Sequence, residues 1–114
     1  MMAYCKYNDI GVIPWGPLGG GHLTRPVGAQ SLRGDSSKGT VFDYNISESE
    51  NRIISRVEEI AKKYNKKMAQ VALAWVTAKI TSPLVGLSAV NRVDESLLQG
   101  FTLTEEDVKY LEEP

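Results

Sequence analysis

The stretch Val12-Ile13-Pro14-Trp15-Gly16-Pro17-Leu18-Gly19-Gly20-Gly21 leaves the chain few options. A short apolar run breaks at once into an aromatic residue, two prolines and consecutive glycines. That is how a buried parallel strand ends in a loop whose backbone must approach a ligand. Such a strand needs neighbours, and the remaining sequence supplies helices, a second strand-and-loop unit and a tail.

Residues 1–8 read as the last turn of a helix, and residues 10–14 as a strand buried on both faces. Residues 16–45 then turn to Gly, Ser, Thr, Arg and Asp, a loop of about 30 residues; loops of that length in a compact domain are usually functional or disordered. Because this one begins at a strand end, its position favours function. Ser47 with Glu50 three residues on is a capping box, and Ile53, Val57, Ile60 and Tyr64 fall on one helical face. Glu58 with Lys62 and Glu59 with Lys63 are i,i+4 pairs on the wet side. After a break near Asn65, Met68, Val71, Ala72, Trp75 and Val76 repeat the helical period, and the small alanines allow close packing on a sheet. Residues 80–85 read as a second buried strand, closed by Gly86. A short helix through Val93, Leu97 and Leu98 comes next, with Gly100 as its stop. Thr104 opens a final helix with acids in its first turn and Val108 and Leu111 as its apolar side. The order is strand, loop, helix, twice over, which makes this an α/β chain.

With 114 residues the chain is at most one modest domain, and a net charge of -1 gives no general attraction to nucleic acid or anionic membranes. Any anion site must be local. No apolar stretch approaches the roughly 20 residues of a spanning helix, and the first residues lack a signal-peptide core, so the cytoplasm is the expected location. Cys5 is the only cysteine and His22 the only histidine. Neither an intrachain disulfide nor a thiolate- or histidine-based metal site can be built from this chain alone. Cys5 reads as a small residue tucked under a helix, and His22 as a loop residue with no acid–base group adjacent to it in the sequence. Lys62-Lys63 and Lys66-Lys67 read as a solvated helix end rather than a nucleic-acid patch.

In parallel α/β folds, ligands sit at the carboxyl ends of the strands, so the loops at 15–21 and 86–92 are expected to face the same side. Ser88 and the N–H groups at a helix start, with Arg92 one turn in, can make a phosphate site; alone they also read as an N-cap beside a solvated arginine. Trp15, next to Gly16 and Pro17, can present a flat indole to a flat ring; singly it also reads as a packing residue. Arg25 and Arg33 in the long loop can clamp a pyrophosphate or simply be hydrated. The Gly19-Gly20-Gly21 run lacks the ending of a P-loop and is not a G-x-G-x-x-G fingerprint. No Ser/His/Asp or Cys/His arrangement is supported.

Taken together, Ile10-Gly11-Val12-Ile13-Pro14-Trp15-Gly16-Pro17-Leu18, Arg56-Val57-Glu58-Glu59-Ile60-Ala61, Met68-Ala69-Gln70-Val71-Ala72-Leu73-Ala74-Trp75 and Ser82-Pro83-Leu84-Val85-Gly86-Leu87-Ser88 resemble the C-terminal third of an aldo-keto reductase. The likeness is to the fungal aryl-alcohol dehydrogenase type, and more distantly to potassium-channel beta subunits. The resemblance implies the C-terminal part of a (β/α)8 barrel: its last two strand–helix units plus a C-terminal helix, with NADP(H) as cofactor. It implies that Trp15 stacks on the nicotinamide and that Gly16, Pro17, Leu18, Gly19 and Gly20 run under the pyrophosphate. Arg25 and Arg33 fall near basic loop positions that cover the cofactor in some members. Gly86, Ser88 and Arg92 match the 2'-phosphate site, and Glu95 and Ser96 the adenine contacts. The family usually has Ser at the Gly16 position, often Lys at Ala89, and Asn at Ser96.

The resemblance also implies that the family's catalytic Asp, Tyr, Lys and His come from earlier strands, so no catalytic residue and no metal ligand is assigned here. Two strands cannot close a barrel that typically takes about 250 residues, and apolar strand edges are left open. The expectation is one partial, NADP-dependent oxidoreductase domain over residues 1–114, acting with NADPH and, in a complete barrel, a carbonyl substrate. The alternative is a catalytically inactive truncated remnant or interaction module. Self-association or a complementary barrel fragment would complete it, and no nucleic acid or membrane partner is expected.

Overall fold

Ser47 starts the longest helix by the capping box its sequence carries: its hydroxyl accepts from the Glu50 amide at 3.3 Å, and its own amide donates to Glu50 Oε2 at 2.8 Å. In the computed structural model, which describes residues 1–29 and 45–113, this helix runs Glu48–Tyr64. We label the helices in chain order: α1 is Met2–Tyr7, α2 Glu48–Tyr64, α3 Met68–Thr77, α4 Asn91–Ser96 and α5 Glu105–Glu112. A 3₁₀ segment, Gly19–Thr24, lies between α1 and α2. Asn65, in the left-handed conformation at φ 52°, ends α2 at the expected break, and the Lys66 amide reaches back to the Ala61 carbonyl at 2.9 Å.

The core forms where α2, α3 and α5 meet. Ile54, Val57, Ile60 and Ala61 of α2 pack with Met68, Val71 and Leu111. Ile53, expected on this face, is exposed; Ile54 takes its place, in register with Val57 and Ala61 at the i, i+3, i+7 spacing of a buried stripe. Helix α3 has no wet face over most of its length, because Met68, Ala69, Val71, Ala72, Leu73 and Ala74 are all buried. It packs against α2, the 3₁₀ segment and α4, which is the position of a helix apolar all round. Burying a single Val or Leu there stabilises by roughly 1.5–3 kcal/mol.

Polar contacts fasten α5 to this core. Asp107, buried, accepts from Lys63 Nζ at 2.8 Å, from the Tyr64 hydroxyl, and from Thr104 Oγ1 at 2.9 Å, while its amide donates to Thr104 Oγ1 at 3.2 Å. Burial pushes its carboxyl pKa up, but the hydrogen bonds from Lys63, Tyr64 and Thr104 together hold it below the ordinary value. At the other end of α5, Glu112 Oε1 accepts from the Trp75 indole at 2.8 Å and pairs with Lys79 at 2.6 Å. Tyr110 donates to Glu59 Oε2 at 2.6 Å. Of the two expected surface pairs, Glu58–Lys62 forms at 2.6 Å. Glu59 instead serves Tyr110 and Lys63 serves Asp107, because both point to where α5 packs. The Lys62-Lys63 end of α2 is thus solvated only in part.

Three further expectations change. The segments 10–14 and 80–85 are not strands: the pairing is one isolated parallel bridge, Trp15 with Leu84. The amides of Thr81 and Ser82 donate to the Val12 carbonyl at 3.1 and 3.3 Å, and the Leu84 amide to the Pro14 carbonyl at 2.8 Å. Pro14 and Pro83 have no amide to add, and with Ile13 and Leu84 exposed the pair lacks the burial on both faces that normally sustains parallel pairing. The helix expected to run through Leu97 and Leu98 to Gly100 stops at Ser96, because Leu97 is extended at ψ 123°. Gly100, at φ 80°, turns the chain beyond it. Cys5 lies half-buried within α1 rather than under another helix.

Candidate functional site

Parallel pairing has a direct geometric result: the segments after Trp15 and after Leu84 leave the pair at the same end. The Trp15–Gly20 loop and the Gly86–Arg92 loop therefore share a side. The register is fixed at Val12, whose amide donates to Thr81 Oγ1 at 2.9 Å while its carbonyl takes the Thr81 amide.

At this end the indole of Trp15 is 84% exposed, so its faces are free to receive a ring rather than packed in a core. Gly16 comes next at φ 68°, with nothing within 4 Å of where a Cβ would stand. Its need for glycine is one of backbone conformation, and the space beside it is open. Pro17 and Leu18, half-buried, lead into the 3₁₀ segment, where the Leu18 carbonyl accepts the amides of Gly21 at 3.0 Å and Leu23 at 3.3 Å. Gly19 and Gly20 also sit at positive φ. Leu23 packs into the core, so this loop is anchored to α2 and α3 although its glycines face outward.

Arg25 ends the segment half-buried, its guanidinium 3.3 Å from the position a Cβ on Gly21 would take. The sequence motifs assign Gly21 no role of its own. The triple glycine run is the signal that marks it, since the Gly21 φ of 97° is a backbone conformation that side chains disfavour. Arg33 lies outside the described residues.

On the second loop, Arg92 Nη1 donates to Ser88 Oγ at 3.0 Å, so hydroxyl and guanidinium form one exposed unit. Gly86 beside them has open space around it. Ser96 turns its hydroxyl back to the Arg92 carbonyl at 2.8 Å, and Glu95 is half-buried one position before it. The short helix α4 is held to α3 by the Gln70 side chain, whose Nε2 donates to the Leu97 carbonyl at 2.8 Å. The structure thus sets Trp15 and Gly16 on one segment and Ser88 and Arg92 on the other, both leaving the strand pair at the same end. An exposed ring face, open backbone and a cation with a hydroxyl can bind and orient a phosphorylated, aromatic ligand.

Among the described residues no group of His, Cys, Asp and Glu could hold a metal ion, and no helix is long and apolar enough to cross a membrane.

Known proteins resemble this chain. The model of the aldo/keto reductase family matches residues 1–114. An aldo-keto reductase of Fusarium vanettenii is 41% identical over 99% of this chain and 31% of its own length. A Saccharomyces cerevisiae protein named as a putative aryl-alcohol dehydrogenase is 40% identical over 100% of this chain and 34% of its own. The versiconal hemiacetal acetate reductase of Aspergillus parasiticus is 40% identical over 100% and 35%. The chain thus spans about a third of the length of these relatives. Among solved structures, a thermostable aldo-keto reductase bound to epalrestat superposes with a TM-score of 0.60 at 24% identity, over 96% of this chain and 31% of that one. The fold is therefore that of a part of such an enzyme. With its whole length matched by the family model and its helices and loops superposed on those of a solved member, the chain belongs to the aldo/keto reductase family.

Proposed function

We propose that residues 1–114 are the cofactor-holding C-terminal part of an NADPH-dependent aldo-keto reductase barrel, the complete protein interconverting aldehydes or ketones with alcohols. The observation that carries this reading is the Trp15–Leu84 parallel bridge, which puts both loops at one end of the strand pair. The residues there suit the ligand: an indole open to a flat ring, a glycine loop with room for a pyrophosphate, and a guanidinium bound to a hydroxyl for a 2'-phosphate.

NADPH would supply the hydride; this chain would hold it. Trp15 would hold the nicotinamide, and Gly16, Pro17, Leu18, Gly19 and Gly20 would hold the pyrophosphate. Arg25 would cover it. Gly86, Ser88 and Arg92 take the 2'-phosphate, while Glu95 and Ser96 border the adenine. Arg92 is the residue that separates NADPH from NADH, because only the former carries the extra dianion its charge meets. The acid that protonates a carbonyl would come from the remaining strands of the barrel, so the chain by itself would bind without turning over.

Tryptophan fluorescence tests this. The chain is titrated with NADPH, alone and combined with the remaining barrel strands, and compared with Trp15→Leu. Saturable quenching that the substitution removes is expected. Absence of quenching in both settings at millimolar NADPH overturns the reading.

A further inference from the structure

Helix α4 carries Arg92, Glu95 and Ser96, yet little of its own holds it in place. It has six residues, none of them buried, and no side chain caps its first turn. A helix that short does not persist by its own hydrogen bonds, so its position is set from outside. Gln70 reaches it from α3. Met68, Ala69 and Val71 around Gln70 are all buried, so the backbone it springs from belongs to the core. Its side chain meets two backbone groups of opposite kind: Oε1 accepts from the Lys67 amide at 3.0 Å, and Nε2 donates to the Leu97 carbonyl at 2.8 Å. A side-chain amide offers an acceptor and a donor together, whereas a carboxylate or an ammonium offers one of the two. Beyond Leu97 the ties continue. The Ser96 hydroxyl donates to the Arg92 carbonyl at 2.8 Å, and Arg92 Nη1 donates to Ser88 Oγ at 3.0 Å. One series of bonds thus runs from the start of α3 to the guanidinium and hydroxyl of the second loop.

We propose that Gln70 is a positioning residue for the cofactor's 2'-phosphate: it fixes α4 on α3 and so sets Arg92 and Ser88, which makes it a determinant of the preference for NADPH over NADH. This rests on the reading of that loop as the 2'-phosphate site. A group that binds well must be held in place by neighbours that are themselves fixed, and Gln70 is the neighbour rooted in the core. Loosening α4 therefore costs NADPH, which needs Arg92, more than it costs NADH.

Gln70→Glu separates the two bonds, because its carboxylate still accepts from Lys67 but has no N–H for Leu97. Gln70→Met, of similar length, loses both and takes its place if the glutamate variant does not fold by circular dichroism. In the unliganded protein, the amides of residues 92–97 should exchange about tenfold faster in Gln70→Glu, the net worth of one hydrogen bond, while those of α3 stay protected. Titrated by tryptophan fluorescence, the variant should bind NADPH about tenfold more weakly and lose less toward NADH, so that the ratio of the two affinities falls. Unchanged exchange at residues 92–97, or an acceleration shared equally by α3, overturns the proposal. So does an equal loss toward both cofactors, since a purely structural role weakens them alike. Each of these failures leaves NADPH binding by the wild type intact, whereas a wild type that binds no NADPH overturns the cofactor reading itself.

Discussion

Lys63 Nζ lies 2.8 Å from the Oδ1 of Asp107, joining the last turn of α2 to the first turn of α5 through a carboxylate that is itself buried. Removing that carboxylate by Asp107→Ala strands the Tyr64 and Thr104 hydroxyls and should cost roughly 1–3 kcal/mol near neutral pH, read as a lower urea midpoint. Its native pKa is depressed, so its contribution is present above the ordinary carboxyl value of 3.8 and fades as pH falls through the lower native value. The gap between wild type and Asp107→Ala should therefore narrow in that acid range. Lys63 works in the opposite sense: its pKa is raised by the hydrogen bond to Asp107, so its contribution holds below 10.5 and is lost as pH rises beyond it.

Glu112 gives a spectroscopic prediction. Its carboxyl is held below the ordinary 4.5, first by the hydrogen bond from Lys79 and then by that from the Trp75 indole. The Trp75 indole N–H resonance should shift on acidification with a midpoint below 4.5. In Glu112→Gln the same resonance should move upfield and lose that titration.

Gly16 and Gly86 form a matched pair. Both have open space around a would-be Cβ, but only Gly16 is at positive φ. Gly16→Ala should destabilise by about 1–2 kcal/mol through its backbone, whereas Gly86→Ala should change stability by less than about 0.5 kcal/mol. If NADPH lies against Gly86, that silent substitution should nonetheless weaken binding by about tenfold or more, measured by fluorescence titration.

Ser47→Ala removes the cap of the helix that carries half the core, and should lower stability by about 1 kcal/mol with the denaturant slope unchanged.

The helices are legible in the sequence because their signals are local. The Ser47–Glu50 box, the Asn65 break and the Thr104 cap each act within one turn, and each is where the sequence places it. The strands are not, because residues 10–14 and 80–85 carry the composition of a buried sheet while Ile10, Ile13 and Leu84 stay exposed. Composition records the environment a segment is suited to, and here only a bridge between Trp15 and Leu84 remains of it. Asp107 reads in the sequence as an acid suited to a helix dipole; its burial depends on Lys63 and Tyr64, more than forty positions away, which no local pattern reports. At the site, the ordered motifs point to Trp15, Ser88 and Arg92, and the structure sets them on loops leaving one end of the pair. The closeness of Arg25 to Gly21 depends on a turn in three dimensions that the residue order alone does not specify.

Val12 and Thr81 hold each other twice, once through backbone alone and once through a threonine hydroxyl standing in for a carbonyl. A hydroxyl so placed sets the phase of two segments that have almost no ladder to do it. Slip by one residue and Trp15 swings to the reverse face, so a side chain three residues upstream of Leu84 decides which way the indole looks.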